Sequence, residues 1–116
     1  MIKNLTTQQV VATRVEWCNT FLTRGLGLMF HAPLGEDQAY LFVERRESRS
    51  LTTITMLFVF FPIAVIWLDA SRRVVDKVLA KPFHPYYAPS QPAQYYLECH
   101  PSIFERVRIG DQLEFQ

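Results

Sequence analysis

Three histidines, His31, His84 and His100, are the natural candidates for metal ligation or proton transfer near neutral pH. None stands at the HxH or HxxxH spacing that turns two imidazoles toward one ion, so no metal and no cofactor is expected. The two cysteines, Cys18 and Cys99, have no partner at metal-ligand spacing and are too few for a disulfide scaffold. Each lies in or beside a strand-like run, "VEWC" and "YYLEC", which reads as a small core-facing thiol. A Cys18–Cys99 bridge between distant strands is the alternative. The carboxylates are scattered. Glu36 and Asp37 are adjacent and so diverge, while Asp69 and Asp111 stand where turn formers stand. No serine or threonine is readable beside a histidine and an acid, and GxSxG, HExxH, P-loop and GxGxxG patterns are absent. No catalytic residue is assigned.

Aromatic residues offer a binding chemistry instead. "KPFHPYYAPSQPAQ" holds prolines 82, 85, 89 and 92, a density that favours an extended surface connection. It reads either as a lid of Tyr and Phe over one end of a sheet or as a cleft wall in which Phe83, Tyr86 and Tyr87 meet a ligand. "RRESRS" (45–50) reads as a solvated turn, because Glu47 within it and Glu44 beside it oppose a phosphate-binding arginine cluster.

Positioning these groups falls to one domain spanning residues 1–116, near the modal domain size. The chain is 49% hydrophobic and 20% charged, a globular composition, and its net charge of +1 makes no electrostatic case for nucleic acid or a membrane surface. The first residues lack an apolar leader region, so the cytoplasm is the default expectation. "MLFVFFPIAVIWLD" (56–69) is shorter than the roughly 20 residues of a membrane helix and is divided by Pro62. Its β-branched and aromatic residues predict two buried strands meeting at a proline bend.

Elsewhere the pattern predicts a strand over 8–17 and a short helix capped by Asn19 or Thr20 and stopped by Gly25 and Gly27. Further strands are expected at 39–44, over "LTTITML" from 51, after a hairpin at "DASR", in "YYLECH" and in the closing "DQLEF". Ser102 with Glu105 predicts a capped helix that Gly110 stops. About seven strands with one or two short helices give a mainly β fold class, a compact antiparallel barrel-like or sandwich domain.

The order of certain motifs adds to this reading. An Arg-Gly-Leu and Gly-Leu-Met-Phe stretch (24–30) and a Pro-Leu loop (33–34) precede a Leu-Phe-Val strand (41–43). Then come the apolar run with Pro62, Leu68-Asp69, Leu97-Glu98 and Ile109-Gly110-Asp111. In this order the chain resembles the uncharacterised bacterial and archaeal family called domain of unknown function 192. The resemblance implies a compact, mainly β domain with a short helix and no established activity. It also implies polar side chains inside the apolar run, where this chain has Thr55 but also Leu57, Phe58, Val59 and Ala64. Arg24 and Asp69 match the family pattern.

Two readings of function follow. The first is a non-enzymatic β domain that binds a small ligand or a protein partner, with Arg24, Thr55, Asp69, Phe83, Tyr86 and Tyr87 as candidate contacts. If Leu57, Phe58 and Val59 face outward, their apolar patch favours a homo-oligomer. The second is a weak hydrolase or carbohydrate-active enzyme that uses Asp69 with His31 or Glu98.

Overall fold

Residues 1–18 and 34–116 are described in the computed structural model. Among them run β1 (Ile2–Asn4), β2 (Gln9–Ala12), β3 (Arg14–Cys18), β4 (Gln38–Ser48), β5 (Ile63–Leu68), β6 (Val74–Ala80), β7 (Ala93–Cys99), a 3-10 helix (Pro101–Arg106) and β8 (Leu113–Phe115). Five strands form one sheet in the order β3-β4-β7-β5-β6, and three form a second in the order β2-β1-β8. All pairs are antiparallel except β3 with β4, which run parallel. The mainly β expectation holds, in layered form, with no closed barrel among the described residues. No helix among them is long and apolar enough to cross a membrane.

The large sheet is buried on both faces, and period-two alternation sorts its side chains between two cores. One face carries Leu41, Ile66, Leu68, Leu97 and Cys99, and packs on Ile2, Val11 and Leu113 of the small sheet and on Ile103 of the 3-10 helix. The other carries Phe42, Val65, Trp67, Tyr96 and Cys18, covered by Leu34, Ile54, Met56 and Val59. Every residue of β5 is therefore buried, which explains its unbroken apolar sequence. Cys18 and Cys99 are both free and buried, one on each face.

Several sequence expectations need correction. The strand expected over 8–17 breaks at Thr13, where β2 leaves for the small sheet and β3 for the large one. Asp37 O accepts from both Thr13 N and Arg14 N at that crossing. A three-residue strand such as β1 is too short to display alternation, so the sequence reading does not contain it. Most of "RRESRS" is not a turn: β4 runs on through Ser48, with Arg45, Arg46 and Glu47 as exposed strand residues, and only Arg49 and Ser50 bend away. "LTTITML" does alternate between buried and accessible positions, but only Ile54 pairs, in an isolated bridge with Tyr87.

The apolar run is not two strands. Pro62 stands immediately before β5, and residues 57–62 are loop, with Leu57, Phe58 and Phe60 exposed. At the other end of the chain the helix is 3-10, and its N-cap is His100, whose Nδ1 accepts from Ser102 N at 3.1 Å. Pro101 sets the first helical φ, so the start falls one residue before the expected cap. That helix ends at Arg106. Gly110 serves the following turn, at φ +98°, where its N–H donates to Val74 O. The expected helix after Asn19 and its glycine stops lie outside the described residues.

Candidate functional site

Residues 54–60 and 83–87 lie side by side as a hydrogen-bonded double loop. Ile54 and Tyr87 exchange backbone bonds of 2.9 Å, Met56 N donates to His84 O, and Phe83 N donates to Met56 O at 2.7 Å. This last bond holds Phe83 in the left-handed region at φ 67°, uncommon for a residue with a Cβ. Buried Ile54, Met56 and Val59 anchor one loop in the core. The Tyr87 ring stacks on His84 with centroids 4.3 Å apart, and its hydroxyl accepts from Lys81 N. With the inward positions taken, Leu57, Phe58, Phe60 (56% exposed), Phe83 and Tyr86 (63%) face solvent. Phe60 and Phe83 touch edge to face at 5.4 Å. The outcome is an apolar, aromatic tip on a backbone tied at both sides.

The sequence candidates divide accordingly. Thr55, Phe83, Tyr86 and Tyr87 share this double loop, though Thr55 Oγ1 is engaged by Leu57 N and Tyr87 acts as a support. Of the three residues in the conditional apolar patch, Leu57 and Phe58 face outward and Val59 is buried. Arg24 and His31 lie outside the described residues. Asp69 is elsewhere, at the β5–β6 hairpin, where its Oδ1 accepts from Ser71 N and Arg73 N at 2.9 and 3.0 Å. It is a turn former. Replacing Asp69 by alanine should cost about 1 kcal/mol in urea unfolding while Asp69→Asn stays close to neutral, since asparagine retains an accepting oxygen. An unchanged alanine midpoint would show that the turn does not need this carboxylate.

Glu98 is not brought to Asp69. It pairs with Val65, and Asp69 lies four residue steps beyond Val65 along the chain, about 13 Å. That exceeds the carboxylate separations of about 10 Å or less that glycoside chemistry uses. The charged run 45–50 is likewise structural: Glu47 Oε2 accepts from Ala70 N on the β5–β6 hairpin, and Arg49 Nε donates to Pro89 O in the proline loop. No group of three His, Cys, Asp or Glu converges on a common point among the described residues.

A feature the sequence reading missed lies on the second face of the large sheet. Glu98 is only 6% exposed, in the middle strand, next to Tyr40 across β4 and Val65 across β5. Burial pushes its carboxyl up to about 8. Burial, then Glu98 and Glu16, push the Cys18 thiol to about 11, so both groups are neutral at pH 7. Cys99 is raised as well, chiefly by burial. The signal was present in "YYLEC", a lone acid between two core-facing residues. It carries weight only once both faces are known to be covered. Two residues beyond Glu98, His100 lines an apolar hollow of about 170 Å³ with Leu34, Phe61, Pro62 and Pro101.

The two-sheet fold defines a small, mainly β domain. The chain belongs to the family DUF192, described as "Uncharacterized ACR", whose sequence profile matches residues 2–115. It is 34% identical over 114 residues to a UPF0127 protein of Pyrococcus furiosus, covering 97% of this chain and 95% of that one. It is 41% identical over 111 residues to a UPF0127 protein of Thermococcus kodakarensis, covering 96% and 69%. A crystal structure of a protein of unknown function from Novosphingobium aromaticivorans superposes with a TM-score of 0.78 at 24% identity, over 87% of this chain and 74% of the other. That likeness concerns the fold alone.

Proposed function

We propose that this chain is a non-enzymatic binding domain that self-associates, and that the double-loop tip is the surface meeting a second copy. The observation that carries this is the outward cluster of Leu57, Phe58, Phe60, Phe83 and Tyr86 on a hydrogen-bonded support. Large aromatic side chains held on a tied backbone lose little freedom on docking and exclude water efficiently, the properties of interface anchors. A net charge of +1 leaves two copies little mutual repulsion to overcome.

Light scattering across the micromolar range tests the reading. The apparent mass should rise with concentration toward twice that of the chain. The double variant Phe60→Ser, Phe83→Ser should weaken association at least about tenfold while leaving the melting temperature close to that of the parent. A concentration-independent monomer overturns the proposal.

A further inference from the structure

A row of side chains crosses the second face of the large sheet. Register pairs Glu16 with Tyr40 and Tyr40 with Glu98, placing one phenol ring between two carboxyl groups on three adjacent strands. Adjacent strands are about 4.8 Å apart, so both carboxyl groups lie within reach of that ring. Glu16 is exposed and Glu98 is 6% exposed, so the row leads from the surface into the core.

The Glu98 carboxyl makes no hydrogen bond among the described residues, although the backbone of its strand is paired on both sides. None of their side-chain nitrogens or oxygens is both fully buried and unpartnered. The Glu98 carboxyl therefore keeps a narrow opening to solvent. A carboxyl so buried and unpaired is costly in a central strand, where a valine or leucine would pack without penalty. Groups retained against such a cost gather at binding sites.

The surroundings indicate what would be bound. The groups facing Glu98 are Glu16 and Cys18 from β3 and Tyr40 from β4, with Glu44 further along the same face of β4. From β5 comes Val65, whose core cluster also holds Met56 and Val59 of the covering loop. His100, beyond the end of β7, turns its Nδ1 to Ser102. Arg106 bonds to Val11 O and Asp37, away from this row. Arg14 shares this face of β3, two residues before Glu16, but its guanidinium lies against Gly35. The other described groups facing the row are acids, neutral donors and an aromatic ring.

We propose that Glu98, Tyr40 and Glu16 form a binding site for a small organic cation, a primary ammonium or guanidinium group. Ionised Glu98 is the counter-ion, the Tyr40 ring supplies a cation–π face, and Glu16 attracts the cation at the entrance. In the empty site the Glu98 carboxyl is protonated, so binding at pH 7 releases a proton to the buffer as the carboxylate pairs with the cation.

Titration calorimetry of the full chain with n-propylammonium chloride and with methylguanidinium chloride, against sodium chloride and n-propanol, is the test. At least one of the two cations should bind saturably, with a heat that depends on the buffer's ionisation enthalpy, and the two controls should not. Glu98→Gln should abolish the binding. The surface substitution Glu16→Gln, which should leave the fold intact, should weaken it several-fold and so keeps the test decisive if Glu98→Gln folds poorly. No saturable heat with either cation, equal heats with n-propanol, or unchanged binding in Glu16→Gln overturns the proposal. This surface is separate from the double-loop tip, so the light-scattering result does not decide it.

Discussion

Replacing Glu98 by glutamine should leave stability almost unchanged at pH 4 and raise it progressively above that, by up to about 5 kcal/mol at pH 9. The direction follows from linkage. The unfolded chain releases the Glu98 proton near the ordinary value of 4.5, whereas the folded protein holds it until about 8. Between those values the native state binds more protons, so raising the pH favours unfolding, and the loss is complete above 8. The group's contribution is therefore fully present below 4.5 and gone once the carboxyl ionises in the fold. Glutamine is neutral throughout and lacks this slope. The neutral carboxyl and the amide bear similar burial costs at pH 4, and the 5 kcal/mol is an upper bound because the ionised carboxylate keeps a narrow opening to solvent. Even half that figure is a large share of a typical domain's about 5–15 kcal/mol. Urea unfolding of both proteins at pH 5, 7 and 9 measures it. Parallel pH profiles would show that Glu98 ionises normally and is not confined in the sheet.

Glu98 also shows why part of the molecule was legible beforehand and part was not. Its strand could be read from "YYLEC", because alternation of aromatic and aliphatic residues is a local property. The same holds for the β5–β6 hairpin, with "DASR" between two β-rich runs, and for the closing strand. What single-strand patterning leaves open is whether the second face is solvated or covered. In β7 it is covered, so Glu98 and Tyr96 are core residues. The opposite error arose at 57–60, where Leu57, Phe58 and Phe60 read as strand core and are exposed on a loop. Residue type alone favours burial there, and only the bonds to residues 83 and 84 fix the loop outward. The exposure of Phe83 and Tyr86 was legible because prolines mark surface connections. Asp69 was correctly weighed as a turn residue, since its chemistry is local to the hairpin.

Trp67→Ala should destabilise the protein by about 3–5 kcal/mol, and the more informative Trp67→Phe by about 1–3 kcal/mol. Trp67 is 1% exposed on β5, facing the aromatic side of the core where Phe42 and Tyr96 stack with centroids 4.7 Å apart. Its indole Nε1 donates to Thr52 O at 2.7 Å, a carbonyl in a residue with no exposure at all. Phenylalanine preserves most of the apolar contact but leaves that carbonyl unpaired in the core, so the loss reports the hydrogen bond. Thr52→Ala is a useful contrast. It removes the γ-methyl and the hydroxyl that donates to Ser48 O and Arg49 O, and the indole bond to the backbone carbonyl survives. The bond matters beyond its own energy because Thr52 begins the segment that carries Ile54 and Met56 to the double loop. In Trp67→Phe, limited proteolysis should therefore cut first within residues 51–60, and self-association should weaken although no tip residue has changed. Equal urea midpoints for Trp67→Phe and the parent would mean that the indole does not hold this segment, and the tip would then owe its geometry to the backbone bonds with residues 83–87 alone.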